Sequence, residues 1–292
     1  MDHVTSVHQQ QGVIQLPCLP YTLEITGKAI GEIVAAQQVI PQGTAINIAF
    51  LGNENHAQRI HAAKTIRDCG FEPVPIISSR RLLSVEDRDQ LLSNLIKEAA
   101  PKRFLLVGGD PAQPAGPFQD SLSLLNSKIV ESFGIRHVAI TGYPEGHPKI
   151  DQKELWRCLK WKLDYLRQAE CSVEITTQFG FDAQAIVRWI ERLRSEGIDT
   201  PVRVGIPGPA DAAKLLRFAK QFGVVASASI MRRYGLSLAN LMRRSVADRY
   251  WEDLNALLLK QDLGQVYFHL YPFGGVAESV TWMNEQLRQR SS

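Results

Sequence analysis

The sequence predicts an α/β fold, a single (β/α)8 or TIM barrel with a helical insertion between its seventh and eighth strands. Three observations carry this reading. Eight short β-branched runs alternate with amphipathic segments of about 12 to 17 residues, the pattern of parallel strands joined by crossover helices. No second compositional regime interrupts the 292 residues, a length compatible with one unit because barrels of this class take roughly 250 residues. No G-x-G-x-x-G follows any of the runs, which weighs against the alternative, a doubly wound open sheet.

The strand candidates are Tyr21 to Thr26, Ala45 to Leu51, Glu72 to Ser78, Arg103 to Gly108, His137 to Gly142, Ser172 to Gln178, Pro201 to Ile206 and Gln265 to Tyr271. Helical periodicity follows them, as in Asn55 to Cys69, Val85 to Ala99, Lys153 to Gln168, Asp182 to Glu196 and Asp211 to Phe222, with three helices closed by Gly70, Gly197 and Gly223. After the seventh strand the periodicity continues from Ala226 to Gln261. That insertion is a candidate lid or subunit contact, and a homo-oligomer is compatible with it. Residues 1–20 read as an amino-terminal extension and 21–292 as the barrel.

Composition narrows the function classes. A net charge of +3, with Lys and Arg spread along helices, gives no nucleic-acid footprint. The densest basic stretch, Arg232, Arg233, Arg243, Arg244 and Arg249, is open to two readings, a solvated helix face or a cover for a phosphate-bearing ligand. No apolar run reaches the roughly 20 residues of a membrane span. Cys18, Cys69, Cys158 and Cys171 share no metal-type spacing, so reduced thiols and no metal site are expected. The first residues carry neither a basic n-region nor an apolar h-region, and a cytoplasmic location is the expectation.

In a barrel the working groups sit at the carboxyl ends of the strands. Glu24 lies inside the first strand between apolar neighbours; pointing into a partly dry barrel mouth it would suit a general acid, and pointing outward it would serve a structural ion pair. Asp110 ends the fourth strand in Gly108-Gly109-Asp110-Pro111. There the glycines let backbone approach a ligand and the acid projects over the axis, unless it is a turn or cap residue. Gln178 ends the sixth strand and can hydrogen-bond a heterocycle edge as donor and acceptor. Phe179 and Phe181 can wall such a ring or pack in the core, and Asp182 is placed to cap the next helix. The fifth strand runs into Gly142-Tyr143-Pro144-Glu145-Gly146-His147-Pro148, which sets an aromatic, a carboxylate and an imidazole at the rim. His147 can equally be surface decoration. No P-loop, nucleophile elbow or H-E-x-x-H is present, and no lysine lies within a predicted strand for Schiff-base chemistry.

These motifs occur in an order and spacing that resemble the methylenetetrahydrofolate reductases. The residues concerned are the Gly-Asp-Pro after the fourth strand, the Tyr143 to Pro148 loop, Leu159-Lys160-Trp161-Lys162-Leu163-Asp164, Ile175 to Asp182, and Gly197 to Pro207 followed by Leu216 to Lys220. The resemblance implies FAD along the strand ends, with Gly109, Asp110, Tyr143, His147 and Lys162 contacting it or shaping its site, Lys162 as a point charge for the pyrophosphate. It implies a folate held by Gln178 with Phe179, Phe181 and Tyr271 beside it, Glu24 as general acid, and hydride passing from NADH or NADPH through the flavin to methylenetetrahydrofolate. Departures fall at ligand-facing places. Gly108 replaces the family's usual Arg, Ile76 stands where a His is common, Ile25-Thr26-Gly27-Lys28 replaces an aromatic-proline motif, and Gly274-Gly275 replaces an expected Asn-Arg. They leave an alternative expectation, a folate-binding barrel subunit that needs a partner or a non-nicotinamide electron source.

Overall fold

A computed structural model of the chain describes residues 20–52, 54–221, 224 and 246–291. Eight parallel strands close on themselves in sequence order: β1 (Tyr21–Thr26), β2 (Ala45–Ala49), β3 (Glu72–Ser78), β4 (Phe104–Val107), β5 (His137–Gly142), β6 (Ser172–Phe179), β7 (Val202–Pro207) and β8 (Val266–Tyr271). The predicted (β/α)8 barrel is therefore the observed fold, with strand ends shifted by one or two residues. Closure pairs β8 with β1, matching Thr22 to His269 and Leu23 to Leu270.

The helices are α1 (Ile30–Ala35), α2 (His56–Asp68), α3 (Val85–Ala99), α4 (Ser121–Asn126), α5 (Ile129–Ser132), α6 (Gln152–Gln168), α7 (Ala183–Ser195), α8 (Ala212–Gln221), α9 (Val246–Leu258) and α10 (Val276–Ser291). Their starts follow short polar side chains that accept orphan N–H groups: Asn55 from Gln58, Ser84 from Asp87, Asp120 from Ser123, Asp151 from Glu154 and Asp182 from Ala185. Asp182 is thus the cap its position suggested. Gly70 and Gly197 take the left-handed conformation that ends a helix, at φ +86° and +74°. Gly223, Cys18, residues 1–19 of the amino-terminal extension and the Arg232 to Arg244 part of the basic stretch lie outside the described residues. So does the insertion up to residue 245, whereas its remainder contains α9, which packs on α7 and buries Tyr250 and Trp251 as barrel wall. Among the described residues no helix is long and apolar enough to cross a membrane.

Side-chain alternation divides the core in two. Leu23, Ile46, Ile77, Leu106, Ile140, Ile175, Val204 and Phe268 face the helices in one large cluster, while Ala45, Val74, Ile76, Leu105 and Ala139 make a separate small one inside the barrel. Toward the amino ends of the strands the interior becomes ionic. Arg103 bonds Glu72 at 2.8 Å and Glu174 at 2.9 Å, and Arg203 bonds Glu174 at 2.8 Å. The Arg203 guanidinium also lies 5.2 Å over the Tyr267 ring. This buried floor leaves the carboxyl ends as the open mouth.

Candidate active site at the barrel mouth

Glu24 points into the barrel, and the neighbour that closure brings to it is His269. The imidazole is fully buried, with Nε2 3.2 Å from Glu24 Oε2 and Nδ1 2.6 Å from the Thr22 hydroxyl oxygen. A neutral ring satisfies both contacts when Thr22 donates to Nδ1 and Nε2–H donates to the carboxylate. Thr22 and Glu24 are two apart on β1, and His269 sits opposite Thr22 on β8, so all three share the inner face. The Tyr271 ring stands edge-on to His269 at 4.8 Å and to Phe179 at 5.2 Å, and its hydroxyl donates to the Thr177 carbonyl at 3.3 Å. Burial first, then the negative charge of Glu24, holds the Tyr271 phenol well above its ordinary pKa, so it stays a neutral donor. His269 and Thr22 are the members that motif reading missed. The available signal was the period-two spacing of Tyr267, His269 and Tyr271, which puts them on one face of β8.

Gln178 is set by an irregularity in β6. Thr176 pairs with Arg203 but Phe179 with Gly205, so β6 carries one extra residue between them. Thr177 Oγ1 takes the place of a ladder acceptor, receiving the Gly205 N–H at 2.8 Å. A Cβ at position 205 would lie 2.6 Å from the Gln178 carbonyl carbon, so only glycine admits this approach. Gln178 Oε1 accepts from the Phe179 N–H at 3.1 Å. Phe179 is buried among Phe181, Tyr271 and Phe273, and Phe181 is fully buried against Tyr250. Core packing therefore describes Phe181, whereas Phe179 also borders a cleft.

That cleft is lined by Tyr143, Glu145 and His147 from the β5 loop and by Gln178 and Phe179 from β6. Tyr143 and His147 meet edge-on at 5.4 Å across a turn in which Gly146 adopts φ +87°. Burial raises the Tyr143 phenol, opposed by its hydrogen bond with Thr141, and burial followed by nearby Lys149 lowers the His147 imidazole, favouring its neutral form. Glu145 Oε1 accepts two backbone N–H groups, from Phe181 at 2.7 Å and Asp182 at 2.8 Å.

Asp110 stands apart from the Glu24 group. Its carboxylate is 73% exposed and receives Arg81 Nη2 at 2.5 Å and Nε at 3.1 Å. Arg81 also lies 5.2 Å from the centroid of the Phe50 ring, and Arg59 4.4 Å from the same ring. Asp110 thus takes its cation from the segment after β3. A Cβ at Gly108 would meet nothing within 4 Å, so the backbone there is open to a close approach, whereas Gly109, at φ +94°, packs on the segment after β3, where a Cβ would lie 3.3 Å from Ser78 Cβ. Lys162 on α6 is only 4% exposed, and burial pushes its ammonium down to about 8, against the opposing pull of Cys158 and Asp120.

Polar groups at the carboxyl-terminal mouth, above a sealed ionic floor, put the chain in the broad class of (β/α)8 barrels that work at that end. Residues 41–272 match the family model described as methylenetetrahydrofolate reductase, and the chain belongs to that family. Methylenetetrahydrofolate reductase 2 of Saccharomyces cerevisiae is 31% identical over 137 residues, 43% of this chain and 22% of that protein. The 5,10-methylenetetrahydrofolate reductase of Pectobacterium carotovorum is 28% identical over 188 residues, 61% of this chain and 58% of that protein. The chain thus spans less than two thirds of either relative. Among solved structures, an uncharacterised Clostridium thermocellum protein, described as binding two copies of 5-methyl-5,6,7,8-tetrahydrofolic acid, aligns with TM-score 0.62 at 12% identity over 92% of this chain and 95% of that one. Dihydropteroate synthase of Thermus thermophilus aligns with TM-score 0.50 at 10% identity over 93% and 95%. At these identities the structural likeness is one of fold.

Proposed function

We propose that the chain is an FAD-dependent oxidoreductase that interconverts 5,10-methylenetetrahydrofolate and 5-methyltetrahydrofolate. The observation that carries this reading is the Thr22–His269–Glu24 chain in a barrel of this family, since it provides a protonatable carboxyl on a buried relay. The residues also fit the cofactor. Lys162 is a buried cation for which desolvation outweighs its neighbours' charges, the kind of group a pyrophosphate oxygen would stabilise. Gly108 leaves backbone open beside Asp110, and Tyr143 and His147 flank the cleft at the ends of β5 and β6. FAD held there would supply the hydride chemistry that links NADH or NADPH to the folate's one-carbon unit.

The chain's own residues then hold substrate and move a proton. Among the described residues nothing accepts from the Gln178 amide NH2, which would serve a pterin edge while the amide oxygen is tied to Phe179 N–H, and Phe179 with Tyr271 gives that ring an apolar wall. Glu24 protonates the folate nitrogen that leaves as the five-membered ring opens, and His269, oriented by Thr22, steadies the carboxylate that results.

The purified protein, supplied with FAD, is expected to show a flavin absorbance spectrum that bleaches with methyltetrahydrofolate and with a nicotinamide donor. A protein that takes up no FAD overturns the proposal. Lys162→Met is expected to weaken FAD binding by about 10- to 100-fold in a fluorescence titration, with an unchanged or higher Tm because a buried charge whose desolvation its neighbours only partly offset is removed. Wild-type FAD affinity in that variant would take Lys162 out of the site.

A second reading, a folate-binding subunit reduced by something other than a nicotinamide, has its own support. A Cβ at Gly274 would collide with the Pro209 carbonyl oxygen, and Gly275 has φ +127°. The side chains expected there by family resemblance are excluded by this backbone. Bleaching by methyltetrahydrofolate but by neither NADH nor NADPH would select this reading.

A further inference from the structure

We propose that Glu145 is a positioning residue that locks the loop after β6, and with it Gln178, onto the loop after β5. The inference rests on the proposed function only in taking Gln178 as the folate-binding amide. Gln178 is held from two directions. On one side the bulge seats it against Gly205. On the other, the chain three and four residues further on is pinned by Glu145, whose Oε1 accepts from both the Phe181 and Asp182 N–H groups.

Several features say that the local sequence is arranged around this contact. Gly180 is buried, and a Cβ there would collide with Glu145 Oε1, so the carboxylate occupies the space a side chain would take. Among the described residues Glu145 Oε2 is buried without a hydrogen-bond partner. Desolvation of the carboxyl is therefore only partly offset, and none of the described cations pairs with it, as one would in a structural ion pair. What the residue does accomplish is to satisfy two N–H groups at the entrance to α7 from a different βα unit. The same loop carries Tyr143 and His147, so one contact sets the spacing between the two walls of the cleft.

The test compares the full-length wild type with Glu145→Ala by amide hydrogen exchange and by calorimetric titration with methyltetrahydrofolate. In the variant the Phe181 and Asp182 amides are expected to exchange at least about tenfold faster, and the Kd to rise about tenfold. Glu145→Gln keeps an acceptor oxygen and should restore most of both. A folded Glu145→Ala protein with wild-type exchange at these two amides overturns the proposal. If that variant does not fold, Gly180→Ala decides, because its methyl displaces the carboxylate while leaving Glu145 in place. Faster exchange supports the clamp, and wild-type exchange refutes it. Should the wild type bind no methyltetrahydrofolate, the folate reading of Gln178 falls, while exchange still decides whether Glu145 is the clamp.

Discussion

Glu24→Gln is expected to lower the rate of methylenetetrahydrofolate reduction by about 10²- to 10⁴-fold while FAD binding and Tm stay at wild-type values. The substitution removes one ionisable proton and almost nothing else. Gln has the same length, and its amide oxygen can still accept from His269 Nε2, which lies 3.2 Å from Glu24 Oε2. Packing around the buried imidazole is therefore preserved. Thr22→Val is the companion variant. It removes the hydroxyl 2.6 Å from Nδ1 and should produce a smaller loss of about tenfold, by freeing the tautomer and not by removing the acid. Normal turnover by Glu24→Gln would make Glu24 a structural carboxylate, the reading its strand position also allowed.

The largest stability effect is expected at the other end of the barrel. Glu174 bonds both Arg103 and Arg203, and replacing it with Leu leaves Arg203 facing Tyr267 without that counter-ion. Removing one partner from such a buried network costs about 3 to 5 kcal/mol, which lowers Tm by about 10 °C in a chain of this size. The exposed pair Arg167–Asp164 is the control, and its loss should leave Tm almost unchanged. Burial alone would raise the Glu174 carboxyl; attraction to Arg203, then Arg103, together with their hydrogen bonds, outweighs that and leaves it below the ordinary carboxylate value. The sign follows from linkage. A depressed folded-state pKa contributes stability above the unfolded value, and that contribution disappears as pH falls through the folded one. The wild type should therefore lose stability on acidification below about pH 4, and Glu174→Leu should show a flatter acid limb. Equal slopes in the two proteins would remove Glu174 from the acid transition.

Much of this layout was legible without coordinates. Strand alternation and helix caps act over a few residues, so the runs around Glu24, Gln178 and Asp182 could be placed at strand ends and a helix start from local pattern alone. Asp110 was legible as a loop acid, but its partner was not. Arg81 comes from the segment after β3 and reaches Asp110 only because β3 and β4 are neighbours in the closed sheet. The bulge opposite Gly205 was hidden for a similar reason, since a glycine in a strand marks close approach without naming what approaches.

By itself the amino-acid order determined eight strands and five of the helices, their boundaries to within a residue or two, and the placement of Glu24 and Gln178 on strands whose carboxyl ends form the mouth. Those properties follow from period-two and 3.6-residue patterns and from capping side chains, all of them short-range. Only tertiary structure decided that His269 would meet Glu24 across 245 positions of chain, that Glu72, Arg103, Glu174 and Arg203 would form one ionic floor, and that Glu145 would bond the backbone at Phe181 and Asp182. Each of those contacts depends on barrel closure and register, which are settled by how all eight strands pack together.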